Sequence, residues 1–248
     1  MSLEHFRFLE MRQHDDHQEV YRVLSWLEAA LDFRGRAVIP VVIAPPCCFG
    51  SRVLGRYVQR SRHVELCAAS EHLMVTTLHE VGHSLDHLQF EDFASESLLP
   101  NWTKAIITNP CLARLNQNVS EGRIRRTSIS APELFARSFE QWCVQRLLFD
   151  PTLQGQWKAF LSGQDLIKEG SYWSNDEFAL IADAFEQDLA MLGIALKSPE
   201  QRAQIRSGQV QTSDLGLRTG KTQTKHVHSG QEKSLPRAKG LRSGRSRE

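Results

Sequence analysis

Residues 71–88 read EHLMVTTLHEVGHSLDHL, and this stretch decides which fold the chain adopts. Its apolar residues recur at the spacing of a helix with one buried face, and Ser70 precedes it as a candidate N-cap. The motif HEVGH places His79 and His83 four residues apart. Side chains four residues apart share one helix face and lie about 6 Å apart along the axis, so both imidazoles can bind one metal ion.

Glu80 stands beside the first histidine, where its carboxylate reaches a water on the metal rather than the metal itself. Zinc lowers the pKa of such a water towards about 7, and a glutamate removes its proton as it attacks a carbonyl carbon. The spacing therefore predicts a Zn²⁺ site with His79 and His83 as ligands and Glu80 as general base. The alternative interpretation is a pair of surface histidines on a charged helix.

A third ligand is needed, and the residues just after the motif do not supply it. The metzincin continuation requires Gly and His where Asp86 and Gln89 stand, so that class is excluded. His87 shares the histidine face, but eight residues of helix place it about 12 Å from His79. We therefore predict that His87 is a surface residue or a partner of a ligand. For Asp86 we predict a hydrogen bond to a ligand or a salt bridge at the helix end.

The candidate third ligand opens the next strongly helical stretch, residues 131–140, which read APELFARSFE. Glu133 lies in the first turn beside Phe135 and Phe139, and a carboxylate in apolar surroundings is costly unless a cation compensates it. Glu140 is expected about 10 Å further along the helix, so only one of the two carboxylates can bind the metal. Glu133 could instead interact with the helix dipole alone.

Glu177 is the reserve candidate, because it also opens an amphipathic helix and follows a Tyr-Trp pair. That helix is predicted over residues 176–192. A solvated first turn explains Glu177 equally well.

The rest of residues 1–196 predicts one α+β domain. An irregular excursion over 91–130, with one short helix around Trp102, separates the two motifs. The other predicted elements are a helix over 19–33, a strand over 37–44 whose Pro40 favours a sheet edge or bulge, a hairpin of strands 55–59 and 63–67, and a helix from 131 that ends at Pro151.

Residues 197–248 differ from the rest of the chain in charge. They contain twelve Lys and Arg against four acids, a net +8, and since the whole chain carries +1, residues 1–196 carry −7. This segment has few large apolar residues, so we predict a disordered basic tail. Contact between the tail and nucleic acid is a weaker hypothesis, because aromatic residues are not interleaved with its basic ones.

Composition places the chain among ordinary globular proteins, with 41% hydrophobic and 24% charged residues in 248. Five cysteines without a CxxC pair predict free thiols in a reducing compartment. The first residues lack the apolar centre of a signal peptide, and no apolar run reaches the roughly 20 residues that span a membrane. We therefore expect a cytoplasmic protein without membrane contact.

HEVGHSLDH followed by PELFARSFEQW resembles the zincin metallopeptidase domain of phage and mobile-element polyvalent proteins. More distantly, it is similar to the anthrax-lethal-factor-like peptidases, which share the gluzincin pattern HExxH…E. The resemblance extends from about residue 36 to residue 192 and implies a zincin-like fold, a small mixed sheet over an active-site helix with following helices. It implies His79, His83 and Glu133 as Zn²⁺ ligands and Glu80 as the base.

One departure from that pattern concerns the oxyanion. Lethal-factor-like enzymes place a tyrosine shortly before the ligand glutamate, and residues 122–128 here read GRIRRTS. Arg126 and Tyr172 are weak candidates for the missing donor. Solvation explains Arg126 as well, and packing as a buried aromatic anchor explains Tyr172.

Three functions follow as hypotheses. The first is a zinc-dependent endopeptidase that cuts a protein or peptide substrate. The alternative is a non-catalytic, metal-stabilised binding module of a phage or mobile element, and the third is a protein of such an element that binds nucleic acid through residues 197–248.

Overall fold

The computed structural model describes residues 3–9, 16–33, 37–45, 54–87, 93–96, 98–147, 150–163 and 171–198. The chain divides into two units, residues 1–214 and 215–248, and every described residue belongs to the first. Helices and a small sheet share this unit, so the α+β prediction is confirmed. Beyond Ser198, the predicted tail lies outside the described residues.

The helices and strands alternate at the start of the chain, and helices dominate after residue 73. The strands are β1 (Phe6–Phe8), β2 (Leu31–Asp32), β3 (Ile39–Ala44), β4 (Gly55–Val58), β5 (His63–Cys67) and β6 (Ala195–Leu196). The helices are α1 (Asp16–Ala30), α2 (Leu73–His87), α3 (Pro100–Thr108), α4 (Pro110–Ser120), α5 (Ala131–Trp142), α6 (Pro151–Gly163) and α7 (Asn175–Leu189).

The larger sheet is mixed and has the strand order β1-β3-β5-β4. β3 runs parallel to β1 and β5, whereas β4 pairs antiparallel with β5 and forms one edge. The β4–β5 connection is the predicted hairpin turn, in which the Arg62 N–H donates to the Gln59 carbonyl over 3.3 Å. A second sheet consists of β2 and β6, which pair antiparallel. β2 begins at Leu31, directly after α1 ends at Ala30.

Pro40 lies inside the larger sheet, so the prediction of an edge or bulge is wrong. β3 bonds to β1 through the Ile39 N–H, which donates to His5 O at 2.7 Å, and through Val41 O, which accepts from the Leu9 N–H at 3.0 Å. The backbone groups of Pro40, which lies between these two residues, therefore point towards β5. The β3–β5 register begins only at Val41, so the N–H that proline lacks falls where β5 offers no partner.

Within the predicted irregular excursion over 91–130, α3 confirms the short helix around Trp102, whereas α4 shows that the irregular structure predicted over 110–120 is wrong. Pro100 and Pro110 stand in the first turns of these helices, where a backbone N–H has no partner within the helix in any case. Pro151 likewise begins α6, a helix that the sequence did not predict, and Asp150 accepts from the first-turn N–H groups. The three prolines start helices instead of ending them.

The helix pair α2 and α5 forms the centre of the domain. Gly82 of α2 faces the α5 backbone so closely that a Cβ there would lie 2.9 Å from the Cα of Ala136. Large apolar side chains surround the pair, among them the fully buried Trp102, Trp142, Phe135, Phe139 and Phe185. No helix in the described ranges is long and apolar enough to cross a membrane. Cys67, Cys111 and Cys143 are buried and form no disulfide among the described residues, while Cys47 and Cys48 lie outside those residues.

Candidate metal centre

The close approach at Gly82 brings the histidine face of α2 against the first turn of α5. A larger residue at position 82 would push the two helices apart, because its Cβ would meet the backbone of Ala136. Glu133 lies one turn before Ala136 and points at the two imidazoles. The packing of one glycine therefore controls whether the two predicted motifs meet.

The donor atoms of His79, His83 and Glu133 all lie within 4.8 Å of one another. Glu133 Oε1 is 3.7 Å from His79 Nε2, and Glu133 Oε2 is 3.5 Å from His83 Nε2. All three residues are half-buried. They form a group that could hold a metal ion, made of the three residues that the sequence predicted.

The charges of this group are strongly coupled. Burial opposes ionisation, yet the imidazoles of His79 and His83 and the guanidinium of Arg137 hold the pKa of the Glu133 carboxyl well below its usual range. Burial also opposes a charged imidazole, but Glu133 and Glu140 outweigh it and hold the pKa of His79 well above its usual value. The cluster therefore favours a positive charge between the carboxylates.

The geometry and chemistry of the donors fit zinc. Two imidazoles and one carboxylate are a ligand set that catalytic zinc uses, with a fourth position left open. Ligands about 2.0–2.1 Å from a tetrahedral ion lie roughly 3.3 Å apart, close to the 3.5 and 3.7 Å separations here. Arg137 Nη2 lies 2.8 Å from Glu133 Oε1 and helps to orient that carboxylate.

Glu80 lies next to the first histidine and is 6% exposed. Burial raises the pKa of its carboxyl, against the lowering effect of His79 and His83. The carboxylate accepts a hydrogen bond from the Tyr57 backbone N–H, which belongs to the edge strand β4. Gly55 of the same strand would clash with Glu80 if it carried a side chain, because its Cβ would be 3.0 Å from Glu80 Cγ.

Glu140 is not a member of the metal group, as expected, but it contacts one of the histidines in a way that the sequence did not predict. It is fully buried, and its Oε2 lies 3.0 Å from His79 Nδ1. The Tyr172 hydroxyl donates to the same oxygen over 2.7 Å. Glu133 approaches Nε2 of that ring, so the two carboxylates reach the same imidazole at its two nitrogens. The expected 10 Å helical separation therefore does not remove Glu140 from the site.

His87, Asp86 and Glu177 lie outside the group. His87 is 3% exposed, so a surface position is wrong, and its ring contacts the Tyr57 hydroxyl at 2.9 Å. Asp86 accepts from the Ser95 N–H and hydroxyl, and thereby links the end of α2 to the 3-10 turn Ala94–Glu96.

Glu177, the reserve ligand, is used in a different part of the domain. Its carboxylate accepts from the Ser174 N–H in a capping box at the start of α7. It also pairs with Arg114, whose Nη1 lies 2.7 Å from Glu177 Oε1.

An open groove of about 810 Å³ runs over the group. Tyr172 lines it, with the hydroxyl already donating to Glu140. Arg126 is exposed and is not among the residues that line the groove, so this oxyanion candidate finds no support. Its neighbour Arg125 lines the groove instead.

Comparison of the chain with protein-family models, with curated proteins and with solved structures finds no match.

Proposed function

We propose that the chain is a zinc-dependent endopeptidase of the zincin type, acting on a protein or peptide substrate. The observation that carries the proposal is the convergence of the donor atoms of His79, His83 and Glu133 within 4.8 Å, with Glu80 lining the same groove. The resemblance of the two motifs to zincins of phage and mobile elements agrees with this arrangement.

His79, His83 and Glu133 would hold the ion in this proposal. A bound Zn²⁺ supplies a Lewis acid that lowers the pKa of a coordinated water and polarises the carbonyl oxygen of the substrate. Glu140 holds the His79 ring by its Nδ1 and leaves Nε2 for the ion.

Glu80 is the general base of this proposal. It accepts a proton from the attacking water, whose oxygen bonds to the carbonyl carbon. When the C–N bond breaks, the same carboxyl donates that proton to the leaving amine nitrogen. The Tyr57 N–H orients Glu80, and Gly55 leaves space for its side chain.

A Glu80→Gln variant tests the mechanism, because glutamine keeps the shape but cannot take a proton. We expect the purified chain to contain about one zinc per molecule, since the described part of the chain holds one such ligand group. The variant should retain the metal and lose hydrolysis by two orders of magnitude or more, the usual contribution of a general base. Equal hydrolysis by both proteins would refute the role of Glu80.

A non-catalytic, metal-stabilised binding module is the second candidate. The observation that favours it is the Tyr172 hydroxyl, whose proton is donated to Glu140 and is therefore not aimed at an oxyanion. This candidate predicts that chelation lowers the melting temperature and that no protein is cut. Cleavage products of a whole proteome, compared between the wild type and Glu80→Gln, distinguish the two functions.

A further inference from the structure

Among the residues that the structure describes, three arginines line the groove, and they differ in what they contact. Arg56 on β4 pairs with Glu65, its Nε 2.6 Å from Oε2. Arg137 on α5 pairs with Glu133 and donates to the carbonyls of Ser128 and Ser171. These two arginines are therefore occupied by the protein itself.

Arg125 is the third, and within the described ranges it has neither an ion pair nor a side-chain hydrogen bond. Its backbone is held in place, because the Ser128 N–H donates to the Arg125 carbonyl over 3.0 Å. Arg137 Nη1 then donates to the Ser128 carbonyl over 3.1 Å. The backbone that carries this exposed side chain is thus tied to α5 by two successive hydrogen bonds.

Arg125 belongs to a short exposed run of three arginines at positions 123, 125 and 126. Arg123 pairs with Glu121, and of the three only Arg125 lines the groove. A guanidinium binds carboxylates and phosphates through paired hydrogen bonds. An anionic group of the ligand is therefore expected to lie at this end of the groove.

The base of the groove distinguishes a peptide from a nucleic acid. Glu80 and Glu133 lie there, beside the histidines. A bound Zn²⁺ would offset the charge of Glu133, but Glu80 is not a ligand, so a phosphodiester would bring its negative charge beside the Glu80 carboxylate, whereas a peptide bond is neutral at the same place. A peptide with acidic side chains next to the reacting bond fits both conditions. Its neutral peptide bond can lie beside Glu80 and Glu133, and an acidic side chain can bind Arg125.

We infer that Arg125 is a specificity-determining residue, which selects substrate peptides with a Glu or Asp within a few residues of the bond that is cut. The inference rests on the proposed peptidase function and names its substrate class. Arg126 is its matched control, since it carries the same charge one residue later and does not line the groove.

Binding of peptides to the zinc-loaded, full-length Glu80→Gln chain tests the inference without turnover. The probes are two fluorescent pools of random decapeptides, one with a central Glu-Glu-Glu and the other with Gln-Gln-Gln. We expect the Glu pool to bind about tenfold more tightly at low ionic strength, the value of one strong charge-assisted contact. Arg125→Glu should abolish or reverse this preference, and Arg126→Glu should change it by less than about twofold.

Equal binding of the two pools, or equal losses in the two arginine variants, would overturn the inference. Displacement of the Glu pool by oligothymidylate, lost in Arg125→Glu, would also overturn it and assign the groove to nucleic acid. The peptidase proposal fails separately. A wild-type protein that prefers the Glu pool through Arg125 but cuts neither pool would refute catalysis and leave the binding assignment intact.

Discussion

The first turns of α5 and α7 are similar in sequence, but their glutamates contact different groups. Each carries a glutamate, Glu133 or Glu177, in the first turn of an amphipathic helix, and in each case the pKa of the carboxyl is lowered. Glu177 is engaged by Arg114 and by its own capping box. Glu133 faces two imidazoles across a groove. The neighbours across the helix interface, not the helix position, decide whether such a carboxylate caps a helix or can bind a cation.

The largest effect is expected for Glu133→Ala. Two imidazoles alone bind zinc far more weakly than two imidazoles with a carboxylate, so affinity should fall by orders of magnitude and activity with it. Zinc content after gel filtration, and competition with a chelator of known affinity, measure the loss. Full zinc occupancy in Glu133→Ala would contradict the ligand assignment.

Glu140→Gln should have the next largest effect. Glutamine keeps the volume of this buried side chain but removes the charge beside His79 Nδ1, so zinc affinity should fall by about tenfold to a hundredfold. Tyr172→Phe is the control, since it removes the second contact of the same oxygen and leaves the charge in place. Its effect on zinc should be smaller. Unchanged affinity in Glu140→Gln would reduce Glu140 to a packing residue.

Glu177→Gln should have the smallest effect, and on stability alone. Arg114 holds the pKa of the Glu177 carboxyl at about 2 in the folded chain, against an ordinary value of 4.5. A lowered pKa contributes stability above 4.5, which is lost as the pH falls from 4.5 through about 2. The wild type should therefore be about 1–2 kcal/mol more stable than the variant at pH 6, and this margin should disappear towards pH 2.

Urea unfolding of the wild type and Glu177→Gln at several pH values measures this margin, since the difference between the two proteins isolates one carboxyl. Zinc content should be the same in both. Loss of zinc in the variant would mean that Glu177 binds the metal and that the assignment to Glu133 is wrong.

Local patterns in the sequence predicted the elements that carry the site. Apolar spacing predicted α2 and α5, and the four-residue spacing of His79 and His83 predicted that they share a face. The hairpin of β4 and β5 was also predicted, because a polar turn separates two short β-rich runs. Each of these depends on neighbours within a few residues, and such contacts are visible in the order of the residues.

Proline was misinterpreted where its meaning depends on neighbours in space. Pro151 was expected to end a helix but begins α6, and Pro100 and Pro110 begin α3 and α4 within a stretch that was expected to be largely irregular. Pro40 was expected at a sheet edge and lies in an inner strand. In all four cases the missing N–H falls at a position without a partner, which only the register of the strand or the start of the helix determines.

Four members of the candidate site, His79, Glu80, His83 and Glu133, could be predicted from the order of the residues alone. Each belongs to a short local pattern, which is recognisable without knowing which elements pack together. Tertiary structure alone decided the role of Glu140. Distance along one helix suggested that it was too far away, yet a ring has two nitrogens, and carboxylates two turns apart reach both of them. That arrangement depends on how closely α2 and α5 pack at Gly82. The distance between two packed helices cannot be predicted from the spacing of residues along either helix.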